Sequence, residues 1–134
     1  VVGGADAPNI MYGSNGNDQL TGGASLDQIM GRDGNDVLVG GGGDDLFVGG
    51  EGDDSMTGGA GGDRFVFNAA DEGVDTITDY SNNESDVIDI SDILTGFDPE
   101  NDNLSDFVSI TSDGTDATVA VDPGGGGAYT DVAC

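Results

Sequence analysis

The sequence predicts an all-β protein: a solenoid of short stacked strands, closed by a β-rich, sandwich-like C-terminal cap. Three observations carry this. Residues 13–66 fall into six consecutive units of nine, GSNGNDQLT, GGASLDQIM, GRDGNDVLV, GGGGDDLFV, GGEGDDSMT and GGAGGDRFV. In every unit position 1 is Gly, position 6 is Asp and position 8 is large and apolar. After residue 66 the period ends, and apolar runs of ordinary strand length replace it.

Taken in order, residues 1–12 come first. The stretch GADAPNIMY, residues 4–12, fits the frame loosely, with Asn9 at position 6 and Met11 at position 8, and reads as a degenerate first repeat. In the six full units position 6 is Asp18, Asp27, Asp36, Asp45, Asp54 and Asp63, and position 8 is Leu20, Ile29, Leu38, Phe47, Met56 and Phe65. A short fixed period means coils that bury each other's apolar faces. Positions 7–9 form a strand whose middle side chain points inward and whose flanks point outward. One inward residue per nine makes a thin core, and Gly-rich turns are the costliest backbone to order. The coils therefore need a further source of free energy.

The turns offer one. The chain carries 27 acidic residues against two basic ones, Arg32 and Arg64, for a net charge of −25. There is no Lys or His, and 23 of the acids are Asp against four Glu. Short carboxylates among glycines point to turns and to ligands of hard cations, not to a solvating acidic tail. Gly accepts positive φ and lets carbonyl oxygens turn inward, and Asp adds an anionic oxygen to the same place. Calcium takes about 6–8 oxygens, mixing carboxylates with carbonyls. One turn cannot supply so many, but two stacked turns can. Without the ion, facing aspartates repel; with it, the same row becomes a staple.

These units resemble the nonapeptide G-G-x-G-x-D-x-U-x of RTX proteins, a calcium-binding β-helix pattern. The resemblance covers residues 13–66 and implies a parallel β-roll with two nonapeptides per coil. Each Ca²⁺ is then expected between a turn and the turn two repeats later. One edge would stack Asp18, Asp36 and Asp54, the other Asp27, Asp45 and Asp63. That gives two full sites per edge, about four ions, with partial sites at the ends such as Asn9. Carbonyls from positions 1 to 4 would complete the shells. They belong to Gly13, Gly22, Gly31, Gly40, Gly49 and Gly58 at position 1, and to Gly41, Gly50 and Gly59 at position 2. Position 3 adds Asn15 and Asp33, and position 4 adds Gly16, Gly34, Gly43, Gly52 and Gly61. Ser14 and Arg32 replace the second Gly and Ser25 the fourth. The second repeat is therefore expected to have the least regular turn, and the last three the best-formed sites.

In residues 67–134, read as a capping region, strands are expected at 64–67, 74–78, 86–90, 107–111, 117–121 and 128–132. SITSDGTDATVAV is a hairpin signal, with Asp-Gly between two alternating runs. Pro99 and residues 101–106 suggest a loop with one helical turn. DTITDY, DVIDISDIL and VAVDPGGGG resemble the region after the repeats in type I-secreted proteins, including large bacterial adhesins. That resemblance implies export through a one-step channel, a secreted or cell-surface location, and a chain that continues past Cys134, so that this is a fragment of something larger. Asp75, Asp79, Asp86 and Asp89 read either as a further Ca²⁺ site or as solvated strand-end carboxylates.

Several function classes are excluded. Strong negative charge repels nucleic acid and anionic membrane surfaces. No apolar run reaches the ~18 residues of a spanning helix, and no basic region followed by an apolar stretch marks a signal peptide. Cys134 is the only cysteine, so no internal disulfide forms. Without His there is no HExxH zinc site and no His-based triad, and Asp44–Asp45 and Asp53–Asp54 are explained by the repeat rather than as glycosidase pairs. The sequence offers no active site. It reads as a monomeric, non-enzymatic calcium module of a large secreted protein such as an adhesin. A tail of a secreted protease or lipase is an alternative, as is a ligand-binding solenoid, although positions 7 and 9 read along the chain show no regular array.

Overall fold

The computed structural model describes residues 3–4, 7–67, 73–80, 85–90, 108–112 and 116–121. The expected loop at Pro99 and 101–106, the strand at 128–132, the 122–127 run and Cys134 lie outside them. Every element among the described residues is a β-strand, and none of them includes a helix long and apolar enough to cross a membrane.

Eleven strands follow one another: β1 (Ile10–Tyr12), β2 (Gln19–Thr21), β3 (Gln28–Asp33), β4 (Val37–Gly42), β5 (Leu46–Glu51), β6 (Ser55–Ala60), β7 (Arg64–Val66), β8 (Gly73–Ile77), β9 (Val87–Asp89), β10 (Val108–Ser112) and β11 (Ala117–Val121). Odd and even strands separate into two sheets. One runs β1-β3-β5-β7-β9 and is parallel throughout; the other runs β10-β11-β8-β6-β4-β2. Within the repeats each residue pairs with the one 18 positions on, as in Ile29 with Phe47 and Leu38 with Met56. Two nonapeptides therefore make one coil, and the solenoid is a parallel β-roll, as the sequence predicted.

The position-8 residues close the interior. Met11, Ile29, Phe47 and Phe65 come from one sheet and Leu20, Leu38, Met56 and Ile77 from the other, and all are buried. The rings of Phe47 and Phe65 stack with centroids 4.9 Å apart. Strands β3 to β6 run three residues past position 9 into the next turn, and their second and fourth residues are buried. The fourth is the position-1 glycine, which thus belongs to the interior and not to the rim.

Because alternate repeats face opposite ways, the outward residues sort by sheet. The β2-β4-β6-β8 face carries Thr21, Val39, Thr57 and Thr78 in one column, with the Thr57 and Thr78 hydroxyls 2.7 Å apart. The other sheet carries Ile10, Tyr12, Met30, Leu46 and Val48. Arg32 places its guanidinium over the Tyr12 ring, 5.1 Å from the centroid.

The C-terminal strands build onto the roll's own sheets. β8 joins β6 at an offset of 21 residues and β9 joins β7 at an offset of 23, so one longer coil follows the last nonapeptide. Here Phe67 is fully buried, and Tyr80, Ile88 and Ile90 pack against the core. The predicted hairpin is present as β10 and β11, antiparallel to each other and added to β8.

Candidate metal sites

Five of the six position-6 aspartates are buried, and Asp18 in the first full repeat is half-buried. Asp27, Asp36, Asp45, Asp54 and Asp63 are all at most 2% exposed. Burying a carboxylate is costly unless its oxygens are matched. One oxygen is matched by the neighbouring coil. Oδ1 of Asp36, Asp45, Asp54 and Asp63 accepts the backbone N–H of Asp18, Asp27, Asp36 and Asp45, at 2.8–2.9 Å. The ladders continue beyond the nonapeptides at both ends. Asn9 N–H donates to Asp27, Asp54 N–H to Asp75 and Asp63 N–H to Asp86. One edge thus stacks Asp18, Asp36, Asp54 and Asp75, and the other Asn9, Asp27, Asp45, Asp63 and Asp86.

The second oxygen differs. Oδ2 of Asp36, Asp45 and Asp63 is buried and accepts no hydrogen bond. A Cβ built on Gly31 would meet both Asp36 Oδ2 and, at 2.6 Å, the carbonyl oxygen of Gly49. At Gly40 it would meet Asp45 Oδ2 and, at 2.7 Å, Gly58 O. Gly22 lies in the same way beside Asp27 Oδ2 and Gly40 O, and Gly13 beside Asp18 Oδ2 and Gly31 O. A carboxylate oxygen and a carbonyl from the next coil thus converge at four places, two on each edge. Beside Gly49 and Gly58 the nearest atoms are those of Asp54 and Asp63, and no carbonyl comes as close as at the other four glycines. Position 1 is Gly because any side chain would occupy the space between those oxygens. Positions 2 and 4 have φ of 95° to 121° at Gly34, Gly41, Gly43, Gly50, Gly52, Gly59 and Gly61. A Cβ on Gly52 would strike the carbonyl of Gly34 beneath it.

Other expected residues take different places. Asn15 and Asp33 are exposed and meet through a parallel bridge, on the rim of the turn. Asp75, Asp79, Asp86 and Asp89 do not gather into one site. Asp75 and Asp86 extend opposite edges, and Asp89 lies 3.9 Å from Arg64 Nε. Asp79 accepts the N–H groups of Gly58 and Gly59, standing in for the backbone of a further coil. No three carboxylates converge among the described residues; each site draws on backbone oxygen instead. Sequence reasoning missed a second ladder at position 5. Asn17, Asn35 and Asp53 each accept an N–H from the following coil, that of Asn35, Asp53 and Val74. On the other edge Asp44 accepts from Gly62. The signal was Asn or Asp at position 5 in four of the six units.

The family profile that matches is the RTX calcium-binding nonapeptide repeat (4 copies), aligned to residues 3–38 and 30–65. Residues 3–65 belong to the RTX calcium-binding repeat family. No curated protein and no solved structure matches the chain significantly. RTX repeats bind Ca²⁺, and the buried, unpartnered Oδ2 atoms of Asp36 and Asp45, each beside an inward carbonyl, suit a hard oxygen-seeking cation.

Titration should report the same sites. Burial raises the carboxyl of Asp36, and pushes Asp45 up to about 7 and Asp63 up to about 6, against the lowering effect of the N–H each accepts. Asp63 and Asp27 beside Asp45, and Asp86 and Asp79 beside Asp63, add to the rise. A carboxyl whose folded pKa exceeds the unfolded value of about 3.9 stabilises the ion-free roll below that value. The contribution is lost as pH rises through 6–7. In chelator, β content should therefore increase as pH falls from about 8 to 5. With calcium, the midpoint concentration should drop as pH rises over the same range, because the ion replaces the proton. Midpoints that ignore pH would show that the RTX aspartates do not meet the ion.

Proposed function

We propose that this chain is a calcium-driven folding and export module of a large secreted protein, of the adhesin kind. The repeat β-roll is a non-catalytic kind of module, and the observation that carries the proposal is the buried, unsatisfied Oδ2 of Asp36, Asp45 and Asp63. A roll with such atoms is incomplete without cations, so its stability follows their concentration as RT ln(1 + [L]/Kd). Extracellular modules bind calcium at about 10⁻⁴–10⁻³ M, far above cytosolic levels. Inside the cell the binding contribution is near zero, and the charge of −25 keeps the repeats extended and able to thread a narrow channel. Outside, about four ions on position-6 aspartates and position-1 and position-4 carbonyls would bring the charge to about −17 and close the roll. The type I secretion machinery is the expected partner. The segments DTITDY and DVIDISDIL, with their likeness to adhesin C-terminal regions, favour this over the tail of a secreted enzyme.

The experiment joins the chain to a type I signal and follows protease resistance in the cell and in the medium. Sensitivity inside, resistance in calcium-containing medium and sensitivity again with chelator are expected. A chain already resistant inside the cell would remove the export role. Repeats from 40 to 66, nearest the cap and with the most regular turns, should gain amide protection first as calcium is added. Protection starting at 13–30 would reverse that order.

A further inference from the structure

We propose that the cation sites of this roll fall into two classes, two open and two latched, and that the latch is the backbone N–H of Ser14 and of Gly23. The proposal rests on the calcium reading above and goes on to which sites fill, and in what order.

The open sites are those of Asp36 and Asp45. Their Oδ2 atoms accept no hydrogen bond, and the carbonyls of Gly49 and Gly58 arrive beside them from the next coil. At Asp18 and Asp27 the corresponding oxygen is already engaged. Asp18 Oδ2 accepts from Ser14 N–H at 2.6 Å and from the Ser14 hydroxyl at 3.1 Å. Asp27 Oδ2 accepts from Gly23 N–H at 2.7 Å. The next coil's carbonyls, of Gly31 and Gly40, still reach these two places. Only the carboxylate side is closed. Asp63, beyond both pairs, is a half-site: the atoms nearest a Cβ on Gly58 are those of Asp63, and no carbonyl comes as close as at Gly31 and Gly40.

One peptide plane separates the two classes. Where position 2 has positive φ, at Arg32, Gly41, Gly50 and Gly59, the preceding carbonyl faces inward. Those carbonyls, of Gly31, Gly40, Gly49 and Gly58, are the ones found beside the glycines of the coil before. Ser14 and Gly23 are not among the positive-φ residues, and there the N–H faces the aspartate instead. In keeping with this, Gly4 meets only Asn9 and not the carbonyl of Gly22. The sequence supplies a cause for each. Ser14 stands where the second Gly belongs, and positive φ disfavours a residue with a Cβ. Ser25 stands where the fourth Gly belongs, so the turn of Gly23 lacks its second left-handed residue. Arg32 adopts φ 85° although it is not Gly, with its guanidinium held over Tyr12.

A cation at Asp18 or Asp27 must displace a charge-assisted hydrogen bond and rotate a peptide, so it binds about 10-fold or more weakly than at Asp36 or Asp45. The first coil thus keeps its turns by its own hydrogen bonds at low calcium, and takes ions last.

Calorimetric titration with Ca²⁺ alone, beside amide spectra of the whole chain, tests this. Two ions are expected in a first phase and the rest at calcium at least tenfold higher. The Ser14 and Gly23 amides should stay protected through the first phase and lose protection in the second. Ser14→Gly and Ser25→Gly should each move one ion into the first phase. A single class of equivalent sites, amides that change in the first phase, or glycine variants that titrate like the unaltered chain would overturn the two classes and leave the calcium reading standing. No uptake at millimolar Ca²⁺ would overturn both.

Discussion

In excess chelator at neutral pH the chain is expected to lose most of its β signal, and to recover it at about 10⁻⁴–10⁻³ M Ca²⁺. The expectation follows from the balance within a coil. Each repeat buries one large side chain, while its turn holds several glycines that are expensive to order. The carboxylates inside the turn lower the stability further when no ion is present, since neutral pH lies at or above the raised pKa values of Asp45 and Asp63. An ion converts each of these deficits into a bond across two coils. Magnesium should restore little, because it demands a tight octahedron and keeps its waters, whereas these carbonyls are fixed by the ladder. Circular dichroism during chelation and re-addition reads the outcome directly. A spectrum unchanged in chelator would mean that the roll stands on its strands alone.

The second large effect is expected from Asp45→Ala. It removes the acceptor of the buried Asp27 N–H, which costs about 1–3 kcal/mol. It also removes the anionic oxygen beside Gly40. The calcium midpoint should rise by about tenfold or more, taking about 1.4 kcal/mol per decade. Gly40→Ala should do the same with the charge left in place, because its methyl group would press on Asp45 Oδ2 and on Gly58 O. Asp33→Ala is the control. Its side chain is exposed at position 3, and such surface changes usually stay within about 0.5 kcal/mol. Equal midpoints for Asp45→Ala and Asp33→Ala would show that the assignment of position 6 is wrong.

Much of this was legible in the sequence, for a physical reason. A period of nine with Gly and Asp at fixed places constrains each turn locally, so the assignment of Asp18, Asp36 and Asp54 to one edge and Asp27, Asp45 and Asp63 to the other needed no tertiary information. What escaped depends on neighbours in space. Asp75 and Asp86 join the two ladders at spacings of 21 and 23, where the longer connections destroy the period but not the register. Asp79 could be seen as acidic but not as a substitute for backbone, since only the last coil leaves the N–H groups of Gly58 and Gly59 to be met this way. The irregular turn expected in the second repeat falls at Gly23, a glycine without positive φ, and Arg32 read only as a departure from the pattern. Their turns are decided by Ser25 in one case and accompanied by the Tyr12 ring in the other.

The two side-chain ladders run in opposite directions. Position-6 carboxylates reach back to the N–H of the coil before, and position-5 side chains accept from the coil after. Within the repeats a coil is therefore addressed from both sides by residues 18 positions away. The quantum of length in this molecule is consequently 18 residues and not nine. Loss or gain of a pair of repeats hands the same edges and the same sheets on to β8 and β9. Loss or gain of a single repeat would present β8 with the sheet that β9 was shaped to join. The lengthening or shortening of such a chain over time is thereby confined to even steps, a rule of descent imposed by two hydrogen bonds.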